Sequence, residues 1–397
     1  MRHSLLLFLF AAFISPLFSQ PLFKTDADIT MGAARTDLYL EALKSASQVG
    51  VVANHTTIVG EQHLVDQLLE MGVKVTKVFA PEHGFRGKAD AGEKVESGKD
   101  AKTGLPIISL YGSHKKPTAD DLEGLNVVIF DIQDVGARFY TYISTMTYVM
   151  EACAEHGVSV IVFDRPNPNG FYVDGPVLQE GFESFVGMLP IPVVHGMTIG
   201  ELAKMINGEG WLEGDVQCDL TVIPCEGYKH NDIYTLPIKP SPNLPTMNSI
   251  LLYPSLCFFE GTDFSVGRGT DTPFEVFGHP NLSVGSFMFV PKPNQGAKHP
   301  KHEGVPCLGW DLSEIGGKRI QQKQSLILDW VLDAYENFPQ KDKFFLENGF
   351  FDKLAGTDQL RKQILSGMTE EQIRASWEPE LSDFKKKREA YLLYPAK

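Results

Sequence analysis

The sequence predicts an α/β fold, with a parallel sheet covered by helices on both sides and a second, smaller region of mixed helix and strand. Two observations carry this. From residue 36 onward, apolar runs of strand length alternate with segments of helical spacing. The runs are apolar at successive positions rather than at every second one, as in strands buried on both faces, and this pattern belongs to parallel sheets.

Residues 37–47 read as a helix and 49–53 as a short buried strand. Leu64, Leu68 and Met71 share one face of a helix over 62–71. Strands follow at 74–79 and 107–111. The clearest are 127–131 and 158–164, separated by a long helix over 139–156. A further short strand is read at 190–195. Thr198, with Glu201 three residues on, is a capping box that opens the next helix. Another strand is read at 220–224. Pro240, Pro242 and Pro245 then follow within six residues, a density that continues neither a helix nor a central strand. The domain junction is placed here, dividing 20–246 from 247–397. The second part reads as a strand near 287–290 and helices at 325–337, 357–365 and 369–391.

The chain of 397 residues carries 36 Lys and Arg against 50 Asp and Glu, a net charge of −14, and is 43% hydrophobic. Such apolar content excludes disorder for most of its length. The acidic balance disfavours nucleic acid as a partner. The basic run Lys385, Lys386, Lys387, Arg388 sits among acidic neighbours and reads as the solvated face of a helix. At the N-terminus, Arg2 and His3 precede an apolar run over 5–14, and small Ser15 and Ser19 follow. This is the pattern of a secretory signal peptide over 1–19, cut between Ser19 and Gln20. The run is too short to span a bilayer. A soluble exported protein, periplasmic or secreted and without membrane insertion, is expected. Loss of Arg2 with the leader takes the net charge from −14 to −15. The cysteines, at 153, 218, 225, 257 and 307, are odd in number and sparse, with no metal-binding spacing, so buried free thiols are expected.

In an open parallel sheet, ligands bind beyond the carboxyl ends of the strands. Here those ends carry Asn54-His55-Thr56, Glu82-His83-Gly84-Phe85-Arg86, Asp131-Ile132-Gln133-Asp134 with Arg138 beyond, Asp164-Arg165 with Asn167, and His195. That density of acids, amides, His and Arg on one edge points to a site. Glu82 is the sharpest candidate, since a carboxylate beside His83 and near Arg86 is suited to general acid or base work. The alternative is a loop salt bridge between Glu82 and Arg86. Asp131, Asp134 and Asp164 are candidate site acids or structural caps, and Asn54 and Asn167 ligand contacts or turn formers. The second part adds Glu260, and Arg268 between Gly267 and Gly269. No nucleotide-cradling glycine motif and no G-x-S-x-G elbow occurs. A metal site from His83, Asp131, Asp134 and His195 is conceivable, but no ligand spacing on one element supports it.

The stretches 52–56, 81–87, 130–142, 164–168, 267–270 and 387–394 together resemble the NamZ-type exo-β-N-acetylmuramidases, in order along nearly the whole chain after the leader. The resemblance implies a Rossmann-like first domain, a smaller α/β second domain, and an active site in the cleft between them. It implies an exo-acting glycoside hydrolase that releases terminal β-1,4-linked N-acetylmuramic acid from the non-reducing ends of peptidoglycan fragments, without a cofactor. Its partners would then be peptidoglycan-derived muramyl saccharides. Glu82 carries over as the catalytic acid, with His83 beside it and Asp131 as a candidate second group. Asp134, Asp164 and Glu260 are further candidates for the second carboxyl group that glycoside cleavage needs. Muramic acid bears a lactyl carboxylate, and Arg86, Arg138, Arg165 and Arg268 are the candidate cations for it. The competing readings are a non-catalytic binder of peptidoglycan fragments and a metal-dependent hydrolase using Asp131, Asp134 and His83.

Overall fold

The computed structural model describes residues 23–86 and 97–396. The expected signal peptide lies outside the described residues. The centre is a seven-stranded sheet. Its strands are β1 Val49–Ala53, β2 Val75–Ala80, β3 Gly98–Lys99, β4 Pro106–Ser109, β5 Val127–Asp131, β6 Ser159–Phe163 and β7 Leu220–Ile223. In space they run β7-β6-β5-β1-β2-β4-β3. All pairs are parallel except the short edge strand β3 against β4. From β1 the chain builds one flank through β2 and β4, then returns to build the other through β5, β6 and β7. This is the order of a Rossmann-like domain, with its topological switch between β1 and β5.

The central strands are apolar at successive positions because both faces are covered. Every residue of β1 and of β5 is buried. On one face Val52, Val128 and Phe130 join a large cluster with helix Tyr142–Glu155. On the other, Val49, Val51 and Ile129 pack with helix Leu64–Glu70. The large cluster continues into the second part through Tyr253, Phe258, Phe274 and Phe277. Phe139 and Tyr140 stack edge-on against Tyr253, with ring centroids 5.3 and 5.9 Å apart. The second part carries its own three-stranded antiparallel sheet, ordered Val276–His279, Cys307–Asp311, Phe287–Phe289. Its last helix, Glu370–Arg388, packs back on the first part, where Arg374 Nη1 donates to Asp174 Oδ2 at 2.7 Å.

The expected strands recur within a residue or two, and the Thr198–Glu201 capping box forms as read. All five cysteines are free and buried. Three expectations are corrected. The strand read at 190–195 is Pro192–Val194, and it pairs antiparallel with Asp174–Val177 in a separate ribbon. The edge position beside β6 belongs to β7, so His195 does not lie at an end of the main sheet. The helix read from 139 starts at Tyr142, because Gly136 takes a left-handed φ of 78° and Arg138 N donates to Val193 O at 2.8 Å. The helix read from 62 starts at Leu64, because Gln62–His63 pairs in a hairpin with Ile58–Val59.

Candidate active site

A cavity of about 650 Å³ opens beyond the carboxyl ends of β2 and β4, with walls from both parts of the chain. Glu82, His83, Tyr111 and Thr141 line it from the sheet side, and Glu260, Arg268 and the 296–301 loop from the other. Its volume lies in the roughly 300–1,000 Å³ range of small-molecule sites.

Glu82 stands two residues beyond β2. The chain turns sharply there: Gly84 N donates to Pro81 O at 3.0 Å, and His83 and Gly84 both adopt left-handed φ, 70° and 75°. A non-glycine residue in that region is uncommon and marks a constrained turn. The turn presents the Glu82 carboxylate to two hydroxyls. Tyr111 OH donates to Oε1 at 2.9 Å and Thr141 Oγ1 to Oε2 at 2.9 Å. Below it, Tyr142 OH accepts from Asn54 Nδ2 at 2.8 Å and points at the Glu82 carbonyl oxygen, 3.5 Å away. Burial and the Glu82 charge hold the Tyr142 phenol well above its ordinary pKa, so it keeps its proton.

Across the cavity, Glu260 receives a two-pronged pair from Arg268, Nε to Oε1 at 2.6 Å and Nη2 to Oε2 at 3.1 Å. The guanidinium lies 5.0 Å above the Phe274 ring. Its Nη1 makes no hydrogen bond among the described residues, and Arg268 lines the cavity. The 296–301 loop brings Lys298, His299 and Lys301 to the same wall. It is pinned by Lys301 Nζ donating to Thr262 O, and by the next residue, His302, whose Nε2 meets Asp263 O.

Most other expected site residues are committed elsewhere. Asp131, with 0% exposure, holds Arg165 through two bonds of 2.6 and 2.8 Å and does not line the cavity. Arg86 binds Asp100 at 2.8 and 2.7 Å and Asp66 at 3.3 Å. The alternative Glu82–Arg86 salt bridge is therefore replaced by a different one. Arg138 is buried and donates to the carbonyls of Pro176, Ile191 and Leu354, and desolvation lowers its pKa to about 9. Asp164 accepts from Tyr394 OH, Thr198 Oγ1 and Gly200 N, and burial raises its pKa to about 6. Asn167 fixes the 167–170 turn and donates to Met197 O at 2.8 Å. Gln133 donates to the carbonyls of Asp134 and Pro166. Asp134 and His195 face each other in the interior, His195 Nε2 lying 4.0 Å from Asp134 Oδ2. Burial raises the Asp134 pKa to about 7 and lowers that of His195 to about 3, so the imidazole is neutral. Of the carboxylates singled out, Glu82 and Glu260 alone line the cavity, and of the arginines Arg268 alone.

Among the described residues, the group that could jointly offer metal ligands is Asp263, His279 and His302, not the set containing His83. Its hydrogen bonds suit a structural latch better. His279 Nδ1 accepts from Asn281 N at 2.9 Å, which leaves the ring proton on Nε2, facing Asp263 Oδ2 at 3.0 Å.

The reading by strand ends passed over Tyr111 and Thr141, although Tyr111 lies just beyond β4 and the same rule applies to it. It also passed over the 298–301 loop, whose signal is a cluster of basic residues in an acidic chain.

Residues 49–248 match the family described as exo-β-N-acetylmuramidase NamZ, N-terminal, and residues 251–394 match its C-terminal counterpart. The chain belongs to the NamZ family. It is 40% identical over 374 residues to the peptidoglycan β-N-acetylmuramidase NamZ of Bacillus subtilis strain 168, covering 90% of this chain and 89% of that protein. It is also similar to two solved DUF1343-family proteins of Bacteroides fragilis. The first superposes with a TM-score of 0.86 at 46% identity, over 93% of this chain and 100% of that one. The second gives a TM-score of 0.76 at 29% identity, over 92% and 99%. Within this NamZ-family chain, the two matched segments meet at the cavity that holds Glu82 and Glu260.

Proposed function

We propose that this chain is an exo-β-N-acetylmuramidase that releases terminal β-1,4-linked N-acetylmuramic acid from the non-reducing ends of peptidoglycan fragments. It acts after export to the periplasm or outside the cell, with its sheet domain over 20–246 and its second part over 247–397. The observation that carries the reading is the Glu82 carboxyl, held by two hydroxyls on the wall of a cavity whose opposite wall carries Glu260. Glycoside cleavage needs a proton donor for the leaving oxygen and a second carboxyl group on the other side of the bond. Glu82 gives its proton to the glycosidic oxygen as the bond to the anomeric carbon breaks. Glu260 takes the partner role because it lines the cavity, whereas Asp131 is fully buried away from it. A water molecule supplies the oxygen that ends on the anomeric carbon and the proton that restores Glu82.

Arg268 is placed to meet the lactyl carboxylate through its remaining Nη1. A carboxylate ligand forms its strongest contacts with a guanidinium, and Phe274 beneath the plane keeps this one in orientation. The deciding experiment is hydrolysis of a chromogenic β-N-acetylmuraminide, with the matching N-acetylglucosaminide as control. Turnover of the first alone is expected. Equal turnover of both, or of neither, sinks the assignment.

A further inference from the structure

A second cavity, of about 230 Å³, lies at the topological switch between β1 and β5 and shares no lining residue with the Glu82 cavity. Its walls come from the segment after β1 (Thr56, Ile58, Gly60), from Gln133 after β5 and from Arg165 after β6. This is where a doubly wound sheet leaves a crevice, since neighbouring strands here send their chains to opposite sides. Leu236, Pro237 and Ile238 close it with an apolar wall, and Asp26 stands beside them.

Two of these side chains are built in rather than incidental. Gln133 and Arg165 are only 4% and 5% exposed. The Gln133 amide nitrogen donates to Asp134 O at 2.8 Å and Pro166 O at 2.7 Å, which fixes the amide orientation and leaves Oε1 without a hydrogen bond among the described residues. Arg165 spends Nε and Nη2 on Asp131 and Ile58 O, and its Nη1 likewise makes no hydrogen bond among the described residues. Unsatisfied polar atoms on buried side chains are costly unless a ligand or solvent reaches them. Here the acceptor and the donor belong to two side chains that line the same cavity.

We infer that this cavity is a second ligand site, taking a single neutral monosaccharide unit. The choice of class follows from charge and shape. Arg165 is already neutralised by Asp131, and Asp26 adds a negative charge, so an anion gains little there. The open acceptor and donor match adjacent hydroxyls, each of which both donates and accepts. The Leu236–Ile238 wall suits the apolar face of a sugar ring.

The test is ligand-observed saturation-transfer NMR on the full chain with N-acetylglucosamine and with glucose, and with inorganic phosphate and acetate as anion probes. Three variants are compared: Ile238→Trp and Ile58→Trp, which fill this cavity, and Val186→Trp, which fills the Glu82 cavity. Unfolding midpoints confirm that each variant folds, so the readout is independent of turnover. Saturable sugar binding that weakens by at least about tenfold in either filled variant, yet persists in Val186→Trp, is the expected result. Binding lost in Val186→Trp and kept in both others places the sugar at Glu82 and overturns the inference. So does the absence of saturable sugar binding, or binding of the anions in place of the sugars.

Discussion

Replacing Glu82 with Gln probes the proposed mechanism most directly. The side chain keeps its length, and one amide oxygen can still accept from Tyr111 or Thr141, each now 2.9 Å from a carboxylate oxygen. The amide nitrogen meets the other hydroxyl, which rotates to accept. Each hydroxyl keeps a hydrogen-bond partner, so the loss in stability should be about 1 kcal/mol. The fold should therefore survive. What is lost is the transferable proton, and removing a general acid costs about 10²–10⁴ in rate, or roughly 3–5 kcal/mol of barrier. Turnover of a natural muramyl disaccharide should fall by at least about 100-fold. A nitrophenyl muraminide needs less protonation of its leaving oxygen and should lose much less. Tyr111→Phe and Thr141→Ala keep the acid but release its orientation, so each should cost less than Glu82→Gln on the disaccharide. The assay is steady-state product release from both substrates, with unfolding midpoints measured in parallel. If Glu82→Gln cleaves the disaccharide at near wild-type rate while remaining folded, Glu82 is a structural loop acid and the reasoning fails.

Arg268→Ala should weaken transition-state binding of muramic substrates by about 1.5–3 kcal/mol, the range for a hydrogen bond to a charged group; an unchanged kcat/KM for the muraminide would remove Arg268 from lactyl recognition. Arg86→Ala should leave kcat/KM for the muraminide close to wild type and instead lower the unfolding midpoint, because its partners are Asp100 and Asp66 rather than substrate. The pKa of Asp134 is raised to about 7 from 3.8, so the folded state holds this proton more tightly than the unfolded chain does. Its contribution is therefore fullest in acid and declines as pH rises through that window, by up to about 1.4 kcal/mol per pH unit; denaturant titrations of Asp134→Asn should lack this component, and an identical pH profile would contradict it. Mass analysis of the exported protein should find a chain starting near Gln20, and retention of Met1 would count against the leader.

Local patterns in the sequence determined the framework. Doubly buried strands such as Val127–Asp131 need apolar residues at successive positions, and the capping box at Thr198 and Glu201 spans four residues, so both are legible over a short window. The rule that ligands gather beyond strand ends then led to Glu82, because its distance along the chain from β2 sets its place on the sheet edge. Pairing between residues distant in sequence was decided only by the tertiary structure. Asp131 and Arg165 looked like site residues because they end strands, yet β5 and β6 are neighbours and bring them together as a buried ion pair. Arg138 looked like a substrate cation, but Pro176 in the ribbon, Ile191 just ahead of its second strand and Leu354 supply the carbonyls that absorb its donors. His195 left the sheet edge because β7, not its own short strand, took the place beside β6. Glu82 and Glu260 share a cavity only because the aromatic core runs unbroken from Phe139 and Tyr140 to Tyr253 and Phe274. Side-chain packing of that kind depends on contacts that no spacing along the chain encodes.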